Sequence, residues 1–355
     1  MKLFKSLLVA PASLGLLAPM AVTANEVTIN DFNAAEEIAV TNSRVDGLEA
    51  RLNNFEAGSF SETTVASFSV DAVLGAIDGA TSETTSLDYQ FNIGLSTSFT
   101  GEDSLDITID SGNSTASVLS KAMGFDEGTT LTVDGVVYTF PVGGATMMVG
   151  DATDISAAFT GACLYSAFTD YTPDDCGTGS SLGVTGKAVT ASISYAFDNG
   201  FSVAGGISSP EDEILGKSAD LYGLNAAYTT DSYGLALGYA VDDGGAGADT
   251  TTWGFQGYYS FDLADLSVGY ESQESGGTDS TGYFVGLTFS EVGPGSVNVA
   301  AATTGLFTSS QNETMVYEAS YSYPVNDGMT ITPGVFIVED TTDDTGVAVK
   351  ASFSF

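Results

Sequence analysis

Carboxylates are the most abundant side chains in this sequence that are capable of chemistry. Asp and Glu number 46 against 8 Lys and Arg, His is absent, and the formal net charge at pH 7 is -38. General acid–base catalysis commonly uses His, or carboxylates gathered in a pocket, whereas these acids are scattered along the chain. Pairs such as Asp174–Asp175 and Asp343–Asp344 are typical of solvated loops, with weak calcium binding as the alternative. The sequence therefore predicts no enzyme, no cofactor and no metal site.

The charge also limits the class of partner. With so few basic residues, the chain cannot neutralise a run of phosphates, which argues against a nucleic-acid partner. The acidity fits either a surface adapted to solubility in high salt or a passage that favours cations. These two interpretations are compatible with each other.

Two cysteines, Cys163 and Cys176, are the remaining reactive groups. They form a disulfide, remain free thiols or contribute to a metal site, but a metal would lack further Cys or His ligands. Of these three alternatives, the disulfide is favoured by evidence at the amino terminus that the protein is exported. Lys2 and Lys5 precede an apolar stretch and a Val22-x-Ala24 cleavage pattern, which predict a signal peptide over residues 1–24, with a buried first helix as the alternative. Export permits disulfide formation.

A short helical seam follows the predicted signal peptide. Apolar residues alternate at spacings of three and four, which is the a/d pattern of about three heptads. The seam consists of Ile38, Val45, Leu48, Leu52 and Phe55. Three heptads are marginal for an isolated helix in water, so the seam needs a partner. We expect residues 25–57 to form a segment with a short trimeric coiled coil; the alternative is an amphipathic helix packed on the chain's own body.

After this segment the apolar period changes to two, which is the period of β-strands. In the last residues, Thr345 to Phe355, apolar side chains alternate with small or polar ones. Similar segments recur back to about residue 60, and short turns alternate with longer polar connections between them. This pattern predicts an all-β fold over residues 58–355, a transmembrane antiparallel up-and-down β-barrel of about 16 strands with lipid outside and water inside.

The predicted strands are 62–76, 85–99, 104–110, 129–133, 136–140, 186–197, 201–208, 219–229, 232–241, 251–261, 266–272, 281–290, 296–304, 314–323, 329–338 and 346–355. Because the number of predicted strands is even, the chain enters and leaves the barrel on the same side.

One segment, at about 141–185, interrupts this rhythm and contains both cysteines. A loop of this length in a compact domain is usually functional. We expect it to fold into the bore as a constriction loop, with a surface hairpin over the mouth as the alternative. Its acids Asp151, Asp154 and Asp170 are then candidates for the narrowest part of the passage.

The alternation also assigns side chains to the two faces of the wall. If apolar residues point to lipid, their neighbours point into the bore. The predicted pore-lining residues are Asp71, Asp88, Asp106, Glu271, Glu318 and Lys350. Because carboxylates outnumber the single base in this set, the sequence predicts a preference for cations.

Several segments resemble a known family. LEARLNNFEAGSFSETT (Leu48 to Thr64), VDGVVYTFPVGG (Val133 to Gly144) and MTITPGVFIVED (Met329 to Asp340) are similar to the cyanobacterial outer-membrane porins of the Som type, within the OprB-like carbohydrate-selective porin family. The resemblance implies a trimeric diffusion channel in the cell outer membrane with its N-terminal segment in the periplasm. Members usually carry a surface-layer-homology domain before the coil, and this sequence has only Asn25 to Ala34 there.

The expected function is therefore passive diffusion of small hydrophilic solutes and inorganic ions. A carbohydrate-selective channel and a structural or adhesive envelope protein are the alternatives. Expected partners are outer-membrane lipid, two further copies of the chain, and the barrel-assembly machinery through the C-terminal Phe355.

Overall fold

The computed structural model describes residues 44, 64–78, 85–114, 117–183, 188–211, 220–244, 247–309, 313–339 and 344–355. The chain divides into two compact units, Met1–Ser61 and Glu62–Phe355. Of the first unit only Arg44 is described, in helical conformation. The predicted signal peptide, and the seam residues Ile38, Val45, Leu48, Leu52 and Phe55, lie outside the described residues. No helix among the described residues is long and apolar enough to cross a membrane.

The second unit consists mainly of strands. The strands are β1 (Thr64–Asp78), β2 (Thr85–Thr97), β3 (Ser104–Gly112), β4 (Thr132–Val142), β5 (Ala145–Thr153), β6 (Ala188–Ala196), β7 (Phe201–Ser209), β8 (Leu221–Thr229), β9 (Tyr233–Asp242), β10 (Thr250–Ser260), β11 (Asp265–Ser275), β12 (Thr278–Val292), β13 (Gly295–Thr303), β14 (Phe307–Thr308), β15 (Met315–Asn326), β16 (Met329–Glu339) and β17 (Asp344–Ser354). Helix α1 (Val118–Ala122), a 3-10 helix η1 (Ile155–Ala158) and a short helical turn α2 (Asp174–Gly177) lie in the connections.

The sixteen long strands close into an antiparallel barrel, as the sequence predicts. Each long strand pairs with its neighbours in the chain, and β1 pairs with β17 to close the wall. The two-residue β14 pairs with Ser280 and Thr281 near the start of β12 and is not one of the sixteen strands that close the barrel. At the closing seam, Phe68 N–H donates to Phe355 O at 2.8 Å and Phe355 N–H donates to Phe68 O at 3.0 Å.

Alternation along the strands separates an outer face from an inner face. In β17, Val347 and Val349 are 57% and 42% exposed, whereas Ala348 between them is 1% exposed. In β9, Leu235 and Leu237 are likewise exposed and Ala236 is buried. The outer wall is apolar because every second residue of each strand points outward.

The two ends of the barrel differ in the length of their connections. One end has short turns such as 143–144, 293–294 and 327–328. The start of β1 and the last residues of β17 also lie at this end. The opposite end has the longer connections. The long connection predicted between strands 266–272 and 281–290 is wrong: β11 and β12 extend through it and turn at Gly276–Gly277, where the two glycines have positive φ angles of 58° and 81°.

Strands four and five of the prediction are also corrected. The predicted strands 129–133 and 136–140 are one strand, β4, and β5 occupies residues that were assigned to the constriction loop. Asp134–Gly135 resembles a hairpin turn, but it lies at a β-bulge, where the register with β3 shifts between Thr108 and Ile109. The actual turn is Gly143–Gly144. The two errors cancel, so the predicted count of sixteen stands.

Candidate functional site

The connection between β5 and β6 folds into the barrel, and we call its described part, residues 154–183, the inner loop. Its first leg crosses the inner faces of β8, β10 and β11. The backbone N–H groups of three alternate residues donate to wall side chains: Thr160 to Asn225 Oδ1 at 2.9 Å, Ala162 to Gln256 Oε1 at 2.7 Å, and Leu164 to Ser267 Oγ at 3.0 Å. The loop is therefore attached to the wall along its length.

Glu318 on β15 anchors the far part of the loop. Its Oε1 accepts from Tyr165 Oη at 2.9 Å and Phe168 N at 2.8 Å, and its Oε2 accepts from Thr169 N at 3.0 Å and Thr169 Oγ1 at 2.7 Å. The side chain is 5% exposed. A buried carboxylate with four donors is satisfied, so it stabilises the loop and is not free to meet a solute.

Glu271 on β11 anchors the returning leg in the same way. It accepts from Ser180 N at 3.1 Å and from Ser181 Oγ at 2.6 Å, and it is 2% exposed. Next to it, Gln256 Nε2 donates to Asp175 O at 2.6 Å and to Thr178 Oγ1 at 2.8 Å. The returning leg thus lies against the same strands as the first leg, nearer the long-loop end.

A disulfide joins the two legs. Cys163 and Cys176 are bonded, with their Cα atoms 5.9 Å apart, which confirms the predicted pairing. At the base of the loop, Ser156 Oγ donates to Gly183 O and so connects the first leg to the last residues of the second. Closing a loop of this size stabilises the folded chain by about 3 kcal/mol through chain entropy.

Glycines on the inner wall let the loop approach the strands closely. A Cβ at Gly269 of β11 would lie 1.7 Å from the carbonyl oxygen of Cys176, and one at Gly334 of β16 would lie 2.5 Å from the Phe168 ring. Any larger residue at these two positions would displace the loop from the wall.

Apolar side chains fill the space between the loop and one arc of the wall. This core consists of Val73, Ile77, Leu119, Ala122, Met123, Phe125, Phe168, Cys176, Phe284, Ala302, Val316, Phe336, Val338 and Ala348. The expectation of a polar inner face is therefore wrong for parts of β1, β12, β13 and β15–β17, because the wall there packs against the inner loop and the β3–β4 connection and not against water. Unbroken apolar runs such as Val335 to Val338 are the signal, since they are typical of strands buried on both faces.

The six predicted pore-lining residues all lie on the inner face, but their surroundings differ. Glu271 and Glu318 are covered by the loop. Asp88 is 5% exposed and accepts from Ser117 Oγ at 2.8 Å. The three others are half-buried: Asp71 accepts from Ser352 Oγ, Asp106 accepts from Ser104 Oγ at 2.8 Å, and Lys350 lies opposite Val73 and Thr332.

Asp151 is not in the loop and does not face the bore. It is exposed at the end of β5, opposite Val136 of β4, whose side chain is on the outer face. The register with β6 shifts between Gly150 and Thr153, and Ala152 has a positive φ of 53°. The prediction failed because β5 itself was not recognised.

Asp154 and Asp170 do lie in the inner loop. Asp154 accepts from Ser156 Oγ, and Asp170 is exposed near the far end. Partial desolvation by the surrounding protein raises the pKa of the Asp170 carboxyl, and the charges of Asp174 and Asp126 add to the shift. Burial also raises the pKa of Asp175, with contributions from Asp174 and Asp154.

Together the loop acids and Asp126 of the β3–β4 connection form a negative region. Asp126 is not among the predicted site residues, and Asp174 and Asp175 were predicted to lie in solvated loops. Their proximity to Asp170 depends on how the connections fold, for which the sequence has no local signal.

One further group of carboxylates is close enough to share a cation. Single carboxylate oxygens of Asp110, Glu127 and Asp134 lie within 4.8 Å of one another. Thr132 Oγ1 donates to Asp110 Oδ1 at 2.7 Å. Carboxylate oxygens are ligands for hard cations such as Ca²⁺. Among the described residues, these three carboxylates are therefore a candidate cation-binding group.

Solved structures of outer-membrane porins share this fold. The sequence matches no family model and no curated protein. OprB of Pseudomonas putida superposes with a TM-score of 0.67 at 13% identity, covering 82% of this chain and 94% of that one. OmpT of Vibrio cholerae, lacking loop L8, gives 0.61 at 12% identity, covering 82% and 99%. A mutant of the Rh. blastica porin gives 0.55 at 14% identity, covering 82% and 100%. At these identities the likeness establishes the fold.

Proposed function

We propose that the protein is an outer-membrane porin that lets small hydrophilic solutes and inorganic ions diffuse through a water-filled channel. The observation that carries the proposal is a closed barrel with an apolar outer wall and a loop tied inside it by two buried carboxylates. Aromatic pairs at the short-turn end, Tyr195–Phe197 and Tyr259–Phe261, support a lipid boundary there.

The passage is proposed to follow the arc of wall that the inner loop leaves open. The loop lies against the strands from β6 to β12 and against β15 and β16. The inner faces of β2, β3 and β4 instead carry half-buried polar side chains: Gln90, Asn92, Ser96, Asp106, Thr108 and Thr139. Small and polar side chains suit a tolerant aqueous path.

A preference for cations is part of the proposal. Asp170, Asp174 and Asp175 are exposed on the loop, and Asp71 and Asp106 are half-buried on the wall. Rings and clusters of carboxylates at a constriction favour cations over anions.

The orientation and assembly are proposed as well. Short turns and both ends of the barrel share one side, which faces the periplasm in outer-membrane barrels. The N-terminal segment is then periplasmic, and the seam from Ile38 to Phe55 holds three copies together. Phe355 is proposed as the contact with the assembly machinery.

The experiment is a conductance measurement on the refolded protein in a planar bilayer under a salt gradient. We expect stepwise ohmic conductance and a reversal potential on the cation side, which shrinks as salt rises because charges are screened beyond about 10 Å at 0.1 M and about 3 Å at 1 M. Block by micromolar saccharides would instead favour the carbohydrate-selective alternative. Absence of conductance from membrane-inserted protein would refute the channel and leave the structural or adhesive role.

A further inference from the structure

We propose that a groove on the outer wall, across β9, β10 and β11, binds one acyl chain of a membrane lipid. This inference rests on the outer-membrane location in the proposed function. The groove has a volume of about 380 Å³, and its lining is almost wholly apolar. We call it the Gly257 groove, and its borders include Tyr233, Leu235, Phe255, Tyr259 and Val268.

The groove exists because one position in an apolar surface lacks a side chain. Gly257 of β10 pairs with Leu235 of β9 and with Val268 of β11, and all three residues face outward. The next outward positions along β10 are Phe255 and Tyr259. A Cβ at Gly257 would lie 3.2 Å from Leu235 Cδ2 and 3.5 Å from Phe255 Cζ. Four larger side chains therefore surround a position that has none.

A glycine inside a strand weakens the sheet, so its presence at this position needs a reason. Such glycines commonly mark a bulge, a bend or the close approach of another group. β10 pairs in continuous register with β9 and β11 here, and the φ of Gly257 is not positive. On the inner face of β10, a Cβ at Gly254 would overlap the Ser181 hydroxyl of the inner loop. Gly257 faces the other way, so the group that approaches it comes from outside the barrel.

The depth of the groove in the membrane favours a lipid chain as this group. Tyr233 and Tyr259 pair at its short-turn end, and Tyr259 also packs with Phe261 in an aromatic pair at the lipid boundary. Tyrosines at such a boundary keep the hydroxyl at the level of the headgroups and the ring in the apolar layer. The rest of the groove then lies in the hydrocarbon layer, where acyl chains surround the wall.

An acyl chain supplies the packing that Gly257 lacks. Side chains that border a gap lose dispersion contacts on that side. A flexible methylene chain can follow the gap between Leu235 and Val268, and it contacts more of the wall there than on a surface without a groove. A lipid held in this way dissociates more slowly than the other lipids around the barrel.

The test counts lipids on the refolded full-length protein by native mass spectrometry after transfer from phosphatidylcholine vesicles into detergent. We expect the wild type to retain one phosphatidylcholine per protomer. Gly257→Leu fills the groove and should lose this lipid at least about tenfold faster, since changes in affinity act mainly on dissociation. Ala226→Leu is the matched control: Ala226 is exposed on the outer face of β8, also three positions before the end of its strand, and does not line the groove.

A second pair of variants narrows the groove from its border and keeps the test valid if Gly257→Leu does not fold. Val268→Phe should also lose the lipid. Val285→Phe should keep it, because Val285 lies directly opposite Val268 on β12 and outside the groove. Equal lipid retention in the wild type, Gly257→Leu and Val268→Phe would overturn the proposal. A change in the number of copies per assembly without a change in lipid count would also overturn it and assign the groove to a second copy of the chain.

Conductance recorded on the same preparations separates this inference from the proposed function. If the membrane-inserted wild type does not conduct but retains the lipid that depends on Gly257, the channel proposal fails and the lipid site stands. If the wild type conducts and retains no such lipid, the lipid site alone fails.

Discussion

Replacing Glu318 with Gln should release the far part of the inner loop without changing its shape. The amide is isosteric with the carboxylate, but only one of its two terminal atoms accepts hydrogen bonds. If the amide oxygen keeps Tyr165 and Phe168, the amide nitrogen faces the Thr169 N–H; the reverse orientation leaves the Phe168 N–H without an acceptor. The two hydroxyls can rotate and accept, so one buried backbone N–H is lost in either case.

The magnitude follows from these contacts. An unsatisfied buried N–H costs about 1–3 kcal/mol, and the remaining bonds lose their charge assistance, so docking of this part of the loop weakens by about 2–4 kcal/mol in total. Two kcal/mol corresponds to about a 30-fold change in an equilibrium constant. The barrel itself should stay folded, because the sixteen paired strands do not depend on this side chain.

The assay is amide hydrogen exchange of Phe168 and Thr169 in the refolded protein. Both amides should exchange at least about 30-fold faster in Glu318→Gln, since exchange follows the local opening equilibrium. Glu339→Gln is the matched control: Glu339 is exposed, and Tyr317 Oη lies 3.5 Å from its carboxylate. Exchange that changes by less than about threefold in Glu318→Gln would refute the anchoring role.

Three further predictions concern the loop and one turn. Mass mapping without reductant should find Cys163 and Cys176 in one cross-linked peptide, and reduction should raise current noise while leaving the assembled barrel intact. Replacing both Asp170 and Asp174 with Asn should reduce the cation preference, measured as the reversal potential in a salt gradient, because both carboxylates are exposed on the loop. Asp103 lies in the β2–β3 turn, where it accepts hydrogen bonds from the Tyr138 hydroxyl of β4 and from backbone and hydroxyl groups of the turn. These hydrogen bonds hold the pKa of Asp103 well below its usual range. Asp103 therefore stabilises the fold above the unfolded pKa of about 3.9 and loses this effect as pH falls through the lower folded pKa, so the unfolding midpoints of wild type and Asp103→Asn should converge in acid.

Each of these has a control. Two alkylatable thiols in protein taken from the envelope would contradict the disulfide. Glu274→Gln combined with Glu339→Gln removes the same number of charges from exposed positions at the long-loop end, and an equal loss of cation preference would show that the loop acids are not special. Tyr138→Phe should reproduce part of the Asp103→Asn effect at neutral pH, since the hydroxyl donates to Asp103 at 2.7 Å; unchanged stability would contradict the assignment.

The wall was predictable from the sequence because its physics is local. Alternation in Thr345 to Phe355 depends only on which face meets an apolar medium, and β17 has that alternation. The break in β4 was not predictable in the same way. Asp134–Gly135 forms a bulge here and would form a turn elsewhere, and only the pairing with β3 decides between them.

The candidate site was predicted only in part, for a different reason. Periodicity placed Glu271 and Glu318 on the inner face, but it does not say whether that face meets water or protein. The answer depends on a loop that is distant in sequence: the bonds from Ser181 to Glu271 and from Thr169 to Glu318 cross separations of 90 and 149 residues. Asp126 was missed for the same reason, because its neighbours come from another connection.

The seam between β1 and β17 imposes an order of events on synthesis. The backbone N–H and O of Phe355 are both bonded to Phe68 once the wall is closed, and the rings of Phe68 and Phe355 stack with centroids 6.0 Å apart. Any recognition that uses these two backbone groups must therefore precede closure. Until residues 344–355 have emerged and paired, β1 presents an unpaired edge, and such an edge is open to wrong pairing with other chains. Pairing of the final strand therefore removes the unpaired edge of β1 and engages the backbone N–H and O of Phe355 in a single step.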